Sequence, residues 1–189
     1  MGRWEPDSRG RLQEAALALY AERGFDQTTA AQIAARAGLT ERTFFRHFAD
    51  KREVLFAGSG LLQERIVAAV AAAPAGDGPL AAVTCGLDAA ATLLGEARRD
   101  LARQRHAVIA ANPELREREL AKIADYAAAV AAALRARGVA EPSASLAADA
   151  GMTVLRVALE RWAGEADDRP LADVMRAAVA ELRSVAAGP

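Results

Sequence analysis

The sequence predicts an all-α chain of about nine helices. Three observations carry that expectation. Alanine-rich stretches repeat apolar residues at 3.6-residue spacing, few segments alternate apolar and polar residues as strands do, and glycine and proline fall where helices would stop and restart. At 189 residues and 52% hydrophobic content, the chain suits one medium domain or two small ones and can fill a core.

Leu12, Ala15, Ala16, Leu19 and Tyr20 form one apolar stripe, and Gly24 closes that first helix. Thr29 followed by Gln32 is a capping box that opens a second helix, with Ile33, Ala34 and Ala37 facing inward. Gly38 permits a tight turn, and Thr40 caps a third helix whose inner face is Phe44 and Phe48. Asp50, with Glu53 three residues on, caps a fourth helix running toward Ala73. Gly58 and Gly60 lie inside it, each at a cost of roughly 1 kcal/mol against alanine, and mark a candidate hinge; close packing or a plain helix break are the alternatives. Residues 74–79 form the first clear loop, and helices follow at about 79–95, 97–111, 113–137, 143–163 and 170–187. Asn112, Pro113 and Glu114 supply a cap, a first-turn proline and a favourable negative charge in order.

Composition excludes several classes of function. The single Cys85 allows no disulfide framework, and no spacing of ligands suggests a metal or a cofactor. There is no paired acid and base and no glycine-rich phosphate loop, so an enzyme is not expected. The start is polar through Arg11 and no run of about 18 residues is free of charge, which argues against a secretory signal and a membrane span and for the cytoplasm. Of 24 basic residues only Lys51 and Lys122 are lysine, a bias typical of a GC-rich genome.

Residues 28–48 carry the functional signal. A short helix, a glycine turn and a second short helix can set that second helix into the major groove of DNA. Net charge is −1 overall, yet Arg36, Arg42, Arg46, Lys51 and Arg52 face only Glu41 and Asp50 over 36–52. With Phe44 and Phe48 inward, Glu41, Arg42, Thr43, Phe45 and Arg46 point out. Arg42 suits a guanine, Glu41 a cytosine amino group or the exclusion of wrong registers, and Thr43 a phosphate or a thymine methyl. Thr29, the first amides of the second helix and the capping Thr40 suit phosphate, as do His47 and Lys51 on the flanking backbone. Arg9 and Arg11 suit the neighbouring strand, Arg3 a flexible arm, and an outward Phe45 sugar or methyl groups.

Residues 9–56 resemble the DNA-binding domain of the tetracycline-repressor (TetR) family of bacterial regulators. The shared parts are Ala16, Tyr20-Ala-Glu-Arg-Gly-Phe25, Thr28-Thr29, Ile33-Ala34, Ala37-Gly38-Leu39-Thr40, Thr43-Phe44-Phe45-Arg46-His47-Phe48 and Asp50-Lys51, in unbroken spacing. The resemblance implies a nine-helix fold: an N-terminal three-helix helix-turn-helix unit, residues 1–56, and a C-terminal helical domain for ligand binding and dimerisation, residues 57–189. It also implies a homodimer on a palindromic operator of double-stranded DNA and a small-molecule effector. Many members carry tyrosine where Phe45 stands, with its hydroxyl on a phosphate, a bond Phe45 lacks.

Apolar residues on more than one side of the last helix suit a four-helix interface made by helices 143–163 and 170–187 of two copies. Candidates to line an effector pocket between the middle helices are Leu94, His106, Ile109, Tyr126, Met152 and Arg156, though plain core is the commoner use for such side chains. Arg98, Arg99, Arg103, Arg105 and His106 form a basic run, suited to an anionic ligand or to a solvated face balanced by Glu114, Glu117 and Glu119. The reading is a ligand-responsive repressor, with a DNA-binding regulator lacking an effector as the alternative.

Overall fold

In the computed structural model the described residues are 8–95, 98–164 and 169–188. Arg3 lies outside them. The described residues form α1 (Ser8–Arg23), α2 (Ala30–Arg36), α3 (Glu41–His47), a 3-10 turn (Glu53–Phe56), α4 (Ser59–Ala72), α5 (Pro79–Leu94), α6 (Arg99–Ala111), α7 (Pro113–Ala136), α8 (Ser143–Gly164) and α9 (Leu171–Ala187), with no strand among them. The fold is all-α, as expected.

Local signals account for most of these boundaries. Gly24, at φ +84°, ends α1 in a left-handed conformation that glycine adopts without steric cost. Thr29 and Gln32 form the reciprocal capping box at α2, and Thr40 caps α3 by accepting from the Thr43 N–H. Pro113 opens α7, and the Asn112 side chain reaches back to donate to Val108 O at 2.6 Å, closing α6.

The fourth helix departs from expectation. Asp50 does cap a turn, accepting from the N–H groups of Arg52 and Glu53 at 2.8 and 3.1 Å, but the turn lasts four residues. Val54, Leu55 and Phe56 are all buried. Three successive side chains fan around most of a helix, so this turn is sunk in the core rather than laid along it. Gly58, at φ +86°, then breaks the helix, and α4 begins at Ser59. Glu53–Ala72 is therefore not one rod, although its length and composition alone would suit a membrane span. The 14 residues of α4 reach about 21 Å at 1.5 Å per residue, short of the ~30 Å of a bilayer core.

Packing divides the chain into two compact units: Met1–Gly58 with Leu101–Glu119, and Ser59–Asp100 with Leu120–Pro189. The division expected after residue 56 has no such return of chain. Residues 101–119 join the first unit because Val108, Ile109 and Leu115 are buried in one cluster with Leu12, Ile33, Phe44 and Leu55. Arg105 fastens them further, donating to Leu55 O at 2.7 Å and to Glu119 at 2.8 Å with its guanidinium over the Phe56 ring, and Arg118 pairs with Glu53.

The second unit is built around α5, which packs against α4, α8 and α9. Gly151 lets α8 approach α5 closely: a Cβ there would lie 2.1 Å from Val83 Cγ1. Ile66, Val70, Leu87, Met152, Leu155 and Trp162 are buried in this unit, and Arg99 lies over the Trp162 ring, 5.6 Å from its centroid.

Candidate nucleic-acid interface

Helices as short as α2 and α3, seven residues each, are unstable alone and depend on their shared core. Phe44 is wholly buried and Phe48 nearly so, their rings 5.7 Å apart. Burying such a side chain contributes about 1.5–3 kcal/mol. The turn between the two helices is fixed from both sides. Gly38 adopts φ +69°, the Leu39 N–H donates to Ala34 O at 2.8 Å, and the Arg11 guanidinium donates to Ala37 O. Arg11 is thus a brace between α1 and the turn, a role the sequence reading did not assign it. Its role was missed because the partner is a carbonyl 26 residues away.

The anchored back of α3 sets its front. Glu41, Arg42, Phe45 and Arg46 are exposed, while Thr43 and His47 are half-buried at the edges. Positions 41, 42, 45 and 46 share one helical face. The outward cations are fewer than the sequence count. Arg36 is held by Glu22 in a two-pronged ion pair at 2.9 and 2.6 Å, and Arg52 bonds Asp50 at 2.9 Å. Arg9 stacks over Phe48, 5.4 Å from its centroid. Arg42 and Arg46 make no ion pair among the described residues.

Lys51 corrects the sequence reading. Its ammonium donates to Phe25 O, Asp26 O and Thr28 O at 2.7, 3.2 and 3.0 Å and lies 4.4 Å from the Phe25 ring centroid. An ammonium has three protons to donate, and all three are used here, so none is left for a phosphate. The Lys51 carbonyl in turn accepts from the Tyr20 hydroxyl at 2.6 Å, and burial, followed by the nearby Asp50 charge, raises that phenol's pKa. Lys51 is a clamp on the loop that delivers Thr29 to the start of α2.

The remaining candidates keep groups to offer. Thr29 is exposed and its hydroxyl accepts from the Gln32 N–H at 3.2 Å, which leaves the hydroxyl proton to donate. Thr40 and Thr43 share a bond between hydroxyls at 2.9 Å, and the Thr43 N–H donates to Thr40 Oγ1. His47 Nε2 meets the Ser8 hydroxyl at 2.9 Å. Burial, then Arg46 and Arg9, hold its imidazole below the usual histidine range, which favours the neutral ring. Phe45 is 53% exposed, with its ring edge-on to Phe44.

The effector candidates are not gathered in one unit. His106 and Ile109 belong to the first, where Ile109 is core beside Leu115. Leu94, Tyr126, Met152 and Arg156 belong to the second. There Met152 is buried, the Tyr126 hydroxyl donates to Ser59 O at 3.0 Å, and Arg156 pairs with Glu160 at 2.9 Å. The basic run is likewise split: Arg99 is buried and Arg105 is bonded to Glu119. An open groove of about 530 Å³ lies in the first unit between the end of α1 and α6, lined by Ala21, Phe25, Gln104, Ala107, Val108 and Ala111 among others. None of the six candidates lines it. No group of three or more potential metal ligands occurs among the described residues.

This geometry has close counterparts. Residues 12–57 match the sequence family described as bacterial regulatory proteins, tetR family, and residues 77–187, more than half of the chain, match the family described as the MftR C-terminal domain. The HTH-type transcriptional regulator TcmR of Streptomyces glaucescens is 40% identical over 77 residues, which are 41% of this chain and 34% of that protein. The match thus spans about a third of the relative's length. Among solved structures, Thermus thermophilus FadR, a TetR-family transcriptional repressor in complex with lauroyl-CoA, is 25% identical with a TM-score of 0.55 over 93% of each chain. FadR of Bacillus subtilis in complex with stearoyl-CoA is 18% identical with a TM-score of 0.64, over 93% of this chain and 97% of that one, and shows the shared fold.

Proposed function

The chain belongs to the tetR family of bacterial regulatory proteins, and from that premise we propose that it is a ligand-responsive transcriptional repressor that binds a palindromic operator as a homodimer. The observation that carries this reading is the outer face of α3, where Arg42 and Arg46 stand exposed beside Glu41 and Phe45 on a helix anchored by Phe44 and Phe48. Arg42 donates to a guanine edge, Glu41 filters the register, and Arg46, Thr29, Thr40, Thr43 and His47 meet the backbone. Two copies place their α3 helices in successive major grooves about 34–36 Å apart. Occupancy then blocks transcription.

We place the dimer contact on α8 and α9, where Leu146 and Val185 are 65% and 72% exposed. The effector site belongs in the second unit, with Leu94, Tyr126 and Met152 the candidates retained. Acyl thioesters are the first class to test, because the Thermus relative was crystallised with one. A ligand releases DNA only by its differential affinity for the two states, tenfold for each 1.4 kcal/mol. We assign the chain no catalytic role and place it in the cytoplasm, with its DNA.

Selection on random duplex DNA tests the reading. The expected product is a palindrome; failure to enrich any sequence overturns it. The alternative is a regulator without a small-molecule effector. Thermal melting against a metabolite panel that includes acyl-CoAs separates the two, since a bound ligand raises the midpoint.

A further inference from the structure

We infer that Phe45 reads the 5-methyl group of a thymine in the major groove and so sets part of the operator sequence. This rests on the DNA-binding reading above and goes beyond it. Among the described residues the large apolar side chains left exposed are Phe45, Leu61, Leu120, Leu146 and Val185, and Phe45 alone lies in the helix-turn-helix. Around the outer face of α3 it lies between Glu41 and Arg42, with Arg46 beyond Arg42, so cations that draw that face to DNA carry the ring with it. The ring stands edge-on to Phe44, with centroids 5.3 Å apart at 83°. Phe44 is itself fully buried, so Phe45 is backed by fixed structure and loses little freedom on docking. A phenyl ring has no hydrogen-bond donor or acceptor. The base edges of the major groove offer one apolar group, the thymine methyl.

Thr43, the other residue suited to that methyl, is poorly placed for it. It is half-buried and offers a single methyl group, whereas the Phe45 ring is 53% exposed. Phe45 is the freer and larger apolar surface.

The test uses the full chain and an operator obtained by selection. Each thymine in turn is replaced by 2′-deoxyuridine, which removes the methyl and keeps the pairing. At one thymine per half-site the replacement is expected to weaken the unmodified protein about fourfold, the effect of losing one buried methyl-sized group. Phe45→Ala, which removes the contact in both half-sites at once, should bind the thymine operator at least about fifteenfold more weakly and be insensitive to uracil at that position alone. Thr43→Ser, which keeps the hydroxyl and loses only the methyl, should retain the sensitivity. Thermal midpoints confirm that each variant is folded. The inference is overturned if no thymine matters, if Phe45→Ala loses as much as the parent at every thymine, or if Thr43→Ser abolishes the effect. A selection that returns no sequence at all overturns the DNA-binding reading instead, so the two failures are told apart.

Discussion

Lys51 and Arg42 carry the same charge to opposite ends. Lys51 is turned inward onto three carbonyls, so Lys51→Ala should destabilise the fold by about 1–3 kcal/mol, read as a lower urea midpoint, rather than act on DNA directly. A variant of unchanged stability would show that the clamp contributes nothing. Arg42 is exposed, and Arg42→Ala should relax discrimination at one base position by about 1–3 kcal/mol. Arg46→Ala should instead weaken all sequences alike and reduce the salt slope by about one. Equal losses across sequences in both variants would contradict this division. His47 adds a pH dependence with a definite sign. Its folded pKa lies below the usual value, so the unfolded chain takes up a proton first as pH falls. The stability this neutral ring contributes is full above its ordinary pKa and is lost as pH drops through the folded value. A phosphate contact favours the protonated ring, so DNA affinity at fixed salt should rise from pH 7.5 to 6. His47→Gln should flatten both trends in binding and melting titrations.

At the start of α4 two glycines act in opposite ways. Gly58 is left-handed, so Gly58→Ala should cost about 1–2 kcal/mol of stability. Gly60 lies in the first turn of α4 with open space around its Cβ position, so Gly60→Ala should stabilise by up to about 1 kcal/mol. Denaturant midpoints moving in opposite directions would confirm this, and parallel shifts would refute it. The same contrast shows what a sequence makes legible. The caps at Thr29 and Thr40, the stop at Gly24 and the buried pair Phe44 and Phe48 depend on neighbours within a few residues, and all could be read from spacing. The break at Gly58 is one of the alternatives that spacing leaves open, and what decides it is the burial of three successive side chains in a core assembled elsewhere. Residues 101–119 joined the first unit through Arg105, Arg118 and Ile109, partners 50 or more positions distant in the two bonded cases. Lys51 was misread for the same reason: its charge is plain in the sequence, but the three carbonyls that hold it come from a loop 23 to 26 residues back.

A palindrome reader needs two copies, and one chain has one α3. Assembly is therefore as much a part of the proposed function as the helix itself. Leu146 on α8 and Val185 on α9 stay exposed when the second unit is complete, although each helix buries its opposite side through residues such as Leu155 and Val179. Single exposed apolar residues are ordinary on a monomer, and what marks an interface is that removing them separates the copies. The joint variant Leu146→Glu with Val185→Glu puts the matter to a test, because paired copies would bring like charges together on a desolvated face. If α8 and α9 form the interface, the parent sediments as a dimer and its melting midpoint rises with concentration, while the variant sediments as a monomer with a midpoint independent of concentration. The variant should also lose at least about tenfold in affinity for a two-half-site operator while keeping its affinity for a single half-site, since only the second, tethered binding event is removed. A variant that remains dimeric and binds the full operator as the parent does would move the interface to another face of the chain.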